Sequence, residues 1–383
     1  MLLRSLRLKR LLSFRDTEIE LGPLNVLIGP NASGKSNLIA AIGLLQEAPT
    51  DLSAPIVRGG GAREWTYKGD AEASPFATLA AEMNCEPSAD APLSYEITIA
   101  DDGGGLLVQQ ERLSCPPRDL VFFSRSAGRV GTFNSSTPPA TASSVPSSKS
   151  FFSEYKNPQD PTPITRMGRQ LAGIGIFTEF QTGPWSQSRT GIATTGTPKE
   201  HLQDGGHNLA FVLSHLSFLG KMGRINELLS RFCEGFEEVR TSIDAGVIRA
   251  HILEQGLAAP TPATRLSDGT LKFLCLLTVL LDPAPPALIC IEEPELGLHP
   301  DALPLVAEAL VEASERTQVV VTTHSESLVG AFSGKPEAVL VCEREFDSGT
   351  QFQRLSSEKL AGWLERYSLG ELWRKGEIGG NRW

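Results

Sequence analysis

The chain has 383 residues, with 35 Lys plus Arg against 45 Asp plus Glu and a formal net charge of −10 at pH 7. That balance excludes a surface that is basic throughout, so contact with nucleic acid has to come from a local patch or from a partner. At 40% hydrophobic and 21% charged, the composition suits a globular protein with room for one large or two ordinary domains.

Leu6 and Leu8 alternate with Arg7 and Lys9, and Ile19 and Leu21 with Glu18 and Glu20. Residues 2–21 therefore read as two half-buried strands around a turn at Arg15-Asp16. Arg4, Arg7, Lys9, Arg10 and Arg15 fall in the first fifteen positions with no acid among them. They are either a solvated strand face or a patch for DNA.

Leu24, Val26, Leu27 and Ile28 form an apolar run of strand length. Gly29-Pro30-Asn31-Ala32-Ser33-Gly34-Lys35-Ser36 follows and matches G-x-x-x-x-G-K-[ST] throughout. Such a loop needs glycine because its backbone turns tightly and brings N–H groups against phosphate oxygens. Lys35 is expected to hold the β- and γ-phosphates of ATP and Ser36 to face Mg²⁺, while the helix starting here aims its positive end at the same anion. Asn37 completes the set expected to bind the nucleotide.

Asp51 to Asp70 is Gly-rich and poorly periodic. Phe76 to Met83, Leu93 to Ala100 and Leu106 to Leu113 read as antiparallel strands, with Asp101 to Gly105 as a turn. Ser124 to Arg166 is crowded with Ser, Thr, Pro and Gly and has few aliphatic residues to bury, so it reads as a long surface insertion. Helical spacing appears over Leu209 to Leu219 and Ile225 to Phe232, and strand-like alternation over Val239 to Leu253. Neither a repeat of twenty to fifty residues nor a long heptad run is present.

Leu266-Ser267-Asp268-Gly269-Thr270 precedes a helix over Leu271 to Leu281. Ser267 caps that helix, and Gly269 lets its first turn approach a ligand; read alone, the element is a helix cap. Because Lys272 interrupts this apolar run and Asp282-Pro283 closes it, it is not a membrane span. Ala287 to Ile291 is a buried strand ending in Glu292-Glu293-Pro294-Glu295. Two adjacent carboxylates at a strand tip suit a Mg²⁺-dependent phosphate site, one acid for the metal and one for a water. Val319 to Thr323 is a further strand, and it presents His324 where a polar group could sense a γ-phosphate. Cys85, Cys115, Cys233, Cys275, Cys290 and Cys342 contain no C-x-x-C pair. Buried reduced thiols in a cytoplasmic protein are expected, not a zinc site.

These motifs resemble the ATP-binding-cassette ATPases, in the soluble branch that holds SMC, RecF-like and OLD-type proteins. The resemblance implies an α/β P-loop NTPase head with a mostly parallel core sheet, an antiparallel β lobe and a helical subdomain, without a long coiled coil. One head would span residues 1–383: 1–48 the first strands and P-loop, 49–200 the β lobe, and 201–383 the remainder. It implies that Leu266 to Thr270, with Ser267, Asp268 and Gly269, is the signature completing a partner's ATP site. Glu292 would be the Walker B acid, Glu293 the catalytic glutamate, Glu295 to Pro300 the D-loop and His324 the switch histidine, and Arg15 would touch nucleotide. The Q-loop is left unassigned. The C-terminus, Leu369 to Trp373 and Gly379 to Trp383, resembles small AAA-type ATPases that act with a TOPRIM-like nuclease in phage defence. The function implied is an ATP- and Mg²⁺-dependent switch that pairs head to tail as a homodimer, in DNA repair or defence. The alternative is a nucleotide-gated scaffold with negligible turnover that displays a nuclease or other effector.

Overall fold

The structure is a computed structural model that describes residues 1–69, 75–85, 88–103, 105–126, 129–133, 145–160 and 162–380. The chain opens with the hairpin β1 (Leu3–Leu11) and β2 (Phe14–Glu20), then β3 (Leu24–Ile28) and α1 (Lys35–Glu47). Its two-residue turn is Leu12-Ser13, and not Arg15-Asp16 as the sequence suggested, because Leu11 pairs with Phe14. Phe14, Thr17 and Ile19 then all face the core, and Asp16 lies in the strand, ion-paired to Arg7 at 3.0 Å.

After the short helix α2 (Ser53–Arg58) come β4 (Phe76–Cys85), β5 (Ser88–Asp101), β6 (Leu106–Cys115), β7 (Leu120–Ser126) and β8 (Arg129–Phe133). Next are α3 (Phe151–Glu154), α4 (Ile164–Ala172), β9 (Gly175–Phe177), α5 (Gln187–Thr190) and β10 (Ile192–Ala193). The helices α6 (Leu209–Phe218) and α7 (Gly223–Phe232) lead to β11 (Phe236–Asp244), β12 (Val247–Glu254) and β13 (Thr261–Pro262). The C-terminal part contains α8 (Asp268–Leu280), β14 (Leu288–Glu292), α9 (Leu303–Ser314), β15 (Gln318–Thr322) and α10 (Glu326–Gly330). It closes with β16 (Val339–Glu345), β17 (Gly349–Arg354), α11 (Ser357–Leu364) and α12 (Leu369–Arg374).

Thirteen strands form one sheet in the order β8-β7-β6-β5-β4-β1-β2-β17-β16-β3-β15-β14-β9. Strands β16, β3, β15, β14 and β9 pair in parallel, and the others antiparallel. The β lobe is thus continuous with the parallel core, and β9 belongs to the core. At the join, β17 pairs with β2 only at Gly349 and Phe14. Side chains supplement it: Thr17 Oγ1 donates to Thr350 O at 2.6 Å and Arg354 donates to Glu20 O at 2.8 Å.

Parallel strands covered on both faces need apolar side chains at every position. Ile289 and Ile291 of β14 and Val319 and Val321 of β15 enter one core, with α6 to α9. Leu288, Cys290 and Val320 enter the other, with α1 and the β lobe. This two-sided burial holds the C-terminal tips of β3, β15 and β14 side by side. Ser267 caps α8 by accepting from Thr270 N at 3.0 Å.

The stretch 124–166 is not simply a surface insertion. Arg125 and Glu111 form a fully buried ion pair, 2.8 Å apart. Glu111 also accepts from Tyr95 Oη at 2.8 Å, Ser150 Oγ at 2.6 Å and Phe151 N at 2.8 Å. Phe151 stacks on Phe123 with ring centroids 4.3 Å apart. Aromatic rings and one buried charge network tie this segment down, with Val145 and Ile164 as its few buried aliphatic side chains. Residues 127, 128, 134–144 and 161 of the stretch lie outside the described residues.

Candidate functional site

Three adjacent strand tips carry the residues that the motifs singled out. From β3 the loop Gly29 to Gly34 leads into α1, with Gly29 at φ 151° and Gly34 at φ 112°. A Cβ on Gly29 would run into the carbonyl of Cys342, and one on Gly34 into the side chains of Thr350 and Ser13. Both glycines are therefore required by the chain's own packing as well as by any phosphate. Thr350 Oγ1 donates to Ser33 O at 2.7 Å, which anchors the loop to β17. Asn37 donates to Ser13 Oγ at 2.8 Å, which ties α1 to the first hairpin. Pro30 is half-buried and Asn31 and Ala32 are exposed at the outer edge of the loop.

Lys35 is buried, and its ammonium donates to Gly29 O at 2.8 Å and Pro30 O at 3.0 Å. Burial lowers its pKa, partly opposed by Cys342, Glu293 and Glu295. Ser36 Oγ donates to Glu292 Oε2 at 3.0 Å. Burial raises the Glu292 carboxyl; the Ser36 hydrogen bond opposes this, and Glu293 and Asp204 add to it.

Glu293 leaves β14 at φ 43°, a left-handed conformation uncommon outside glycine. Its N–H donates to Thr322 O at 3.1 Å, which fixes the departure from the sheet. His324, just beyond β15, sets Nε2 3.7 Å from Glu293 Oε1. Burial lowers the His324 pKa and Lys35 lowers it further, against Glu293 and Glu295, which favours the neutral ring.

Glu295, given to the D-loop by resemblance, acts within this chain as an anchor. Its Oε1 accepts from Thr323 Oγ1 at 2.8 Å and from His324 N at 2.7 Å. The signal was there in the third acid of Glu-Glu-Pro-Glu, but its partner lies 29 residues on.

Of the Ser267 to Gly269 element, Asp268 lines a cavity of about 550 Å³ together with Lys272, Glu292, Glu293 and Gly297. Ser267 and Asp268 are exposed. The Asp268 carboxylate pairs with Arg189, so it enters the site already partnered. A Cβ on Gly269 would sit 3.1 Å from Gly297 O, so this glycine admits the neighbouring turn and not only a ligand. Sequence reasoning missed Arg189, whose buried guanidinium also donates to Ala263 O at 2.9 Å and Leu266 O at 2.6 Å. Arg15 donates to Asp347 O at 2.5 Å in the β16–β17 turn. Just beyond β9, Thr178 and Glu179 also line the cavity.

The donor set fits Mg²⁺ and a triphosphate. The first turn of α1 has no side-chain cap and no acid, leaving its N–H groups for an anion. Ser33 Oγ is buried without a hydrogen-bond partner. Mg²⁺ takes few protein ligands when phosphates supply the rest, which suits one hydroxyl and one carboxylate. Among the described residues no group of three or more His, Cys, Asp or Glu could hold a metal. All six cysteines are free, and five are buried.

The family described as "AAA domain, putative AbiEii toxin, Type IV TA system" matches residues 24–85 and 150–330, most of the chain. The chain belongs to this AAA family. The matched residues of this AAA-domain protein include the P-loop, Ser267 to Gly269, Glu292, Glu293 and His324. Its fold is that of SMC heads. An Smc head bound to the C-winged helix domain of ScpA aligns with TM-score 0.58 and 16% identity over 93% of this chain and 99% of that one. An Smc head with an extended coiled coil, bound to the C-terminal domain of ScpA and derived from Pyrococcus furiosus, gives TM-score 0.56 at 16% identity over 95% and 98%. The Old nuclease of Escherichia phage P2 is 43% identical over 74 residues, 19% of this chain and 12% of that protein. The match thus spans about an eighth of the nuclease's length. No helix among the described residues is long and apolar enough to cross a membrane.

Proposed function

We propose that this AAA-domain protein is an ATP-operated switch whose hydrolytic site is shared between two copies arranged head to tail. Lys35 binds the β- and γ-phosphates, and main-chain N–H groups of the loop from Asn31 to Ser36 surround them. Ser36 and Glu292 hold Mg²⁺, which when bound spreads the charge on the phosphate oxygens. Glu293 orients and deprotonates the attacking water, and neutral His324 donates to the γ-phosphate. Ser267 and Gly269 of the second copy close over that phosphate. Exposed Ser267 and the 55% exposed Leu296 of the adjoining turn support this arrangement, since both are available to a second copy.

The observation that carries the reading is the Ser36 to Glu292 hydrogen bond beside the Glu293 and His324 pair: three separate segments deliver a phosphate-site set to one rim. The likeness to a stretch of Old nuclease supports a role in DNA repair or anti-phage defence beside a nuclease or other effector. DNA contact through the N-terminal strand has weaker support, because Arg7 is paired with Asp16 and Arg4 donates to Asn84 Oδ1 at 2.8 Å. The test is ATP turnover per molecule across protein concentration. A shared site gives a specific rate that falls on dilution; a rate indifferent to dilution in a strict monomer overturns the proposal.

A further inference from the structure

Beside the P-loop, on the flank formed with the β16–β17 hairpin, lies a second cavity of about 440 Å³. Its walls are the loop segment Pro30 to Ser33, Tyr67, Gly69 and the hairpin residues Arg344 to Phe346. Phe346 is 99% exposed, while Tyr67 is buried. A fully exposed phenyl ring at a hairpin tip gains nothing from the fold, and it stands at the edge of a cleft contiguous with the phosphate loop.

The hairpin carrying the ring is held to that loop at its base. Thr350 donates through Oγ1 to Ser33 O at 2.7 Å, and Thr350 N donates to Ser13 O at 2.9 Å. The Cys342 thiol donates to Ser33 O at 3.4 Å. Nearer the tip, Arg15 donates to Asp347 O at 2.5 Å, next to Phe346. Gly349, at φ 72°, allows this approach: a Cβ there would sit 3.1 Å from Arg15 N and 3.3 Å from the Tyr67 ring. The backbone that carries the ring is therefore tied to the phosphate loop before any ligand arrives.

We infer that this cleft is the nucleoside subsite, with the Phe346 ring as the stacking platform for the nucleobase and Arg344 beside it. The inference rests on the nucleotide reading above and deepens it: the triphosphate is held by Gly29 to Ser36, and the base is held by a hairpin from the opposite end of the chain. A planar heterocycle stacks on a phenyl face irrespective of its edge, so Phe346 contributes affinity for a nucleobase rather than discrimination among bases. Inorganic tripolyphosphate, which has no base, makes no use of it.

The test compares calorimetric binding of Mg²⁺-ATP and Mg²⁺-tripolyphosphate to the wild type, Phe346→Ala and Phe346→Trp. Because Phe346 is fully exposed, these variants keep the fold, and thermal melting verifies this. ATP affinity falls about tenfold or more in Phe346→Ala, tripolyphosphate affinity does not change, and Phe346→Trp restores ATP binding. Unchanged ATP affinity in Phe346→Ala, or an equal loss for both ligands, overturns the inference while leaving the phosphate site intact. If the wild type binds neither ligand, the nucleotide reading itself falls.

Discussion

Ser36 and Glu292, 256 residues apart, share a hydrogen bond of 3.0 Å between the first turn of α1 and the tip of β14. The folded protein holds this carboxylate where burial disfavours its charge. A carboxyl whose folded pKa is raised contributes stability at acid pH that is lost as pH rises through the folded value. Glu292→Gln removes that loss and keeps an acceptor for Ser36. The variant should melt a few degrees above the wild type near pH 7 to 8, and the gain should vanish below the ordinary carboxylate range. A variant that melts lower at neutral pH, by calorimetry without nucleotide, contradicts this.

Glu293→Gln keeps the side chain's size but takes away its basicity. Turnover should drop about 100-fold or more, with ATP binding retained and an ATP-dependent dimer visible by light scattering. Rapid phosphate release by this variant would remove Glu293 from the role assigned to it.

Head-to-tail pairing makes a specific statement about mixtures. Lys35→Ala should lose ATP binding, and Ser267→Arg should bind ATP without hydrolysing it. Mixed in equal amounts, they form heterodimers with one intact site, restoring roughly a quarter of wild-type activity by random pairing. Two inactive proteins that stay inactive together, although mass measurement shows heterodimers, argue against a site built across copies.

The buried Arg125 and Glu111 pair yields a prediction about stability. Arg125→Met leaves Glu111 charged in the core and should cost about 3–5 kcal/mol by denaturant titration. Amide exchange should speed up first over 145–155, whose Ser150 and Phe151 depend on Glu111. A loss below about 1 kcal/mol would mean that this network does not hold the segment.

The parts legible in the sequence are those with short-range signatures. β3, β14 and β15 announce themselves as apolar runs, and the loop and Glu292-Glu293 as contiguous motifs. The turn at Leu12-Ser13 was missed because Arg15-Asp16 has the more turn-like composition, whereas the requirement that set the register was burial of Phe14 and Thr17. Arg189, and Glu295 in the anchoring part it plays within its own chain, were illegible for another reason. What they do is hold main-chain groups of distant segments, Leu266 O and His324 N, and no spacing encodes that. In the stretch 124–166, counting aliphatic residues overlooked Phe151, Phe152 and Tyr155.

The single ladder pair joining β2 to β17 has a mechanical meaning. Elsewhere the great sheet is sewn by main-chain amides, which only proline can delete. Along this one line the stitching includes the Thr17 hydroxyl and the Arg354 guanidinium, so ordinary substitutions can loosen or tighten it. How stiffly the antiparallel wing rides on the nucleotide-facing strands therefore depends on two side chains, of which Arg354 also grips Glu337 O and Asn25 Oδ1.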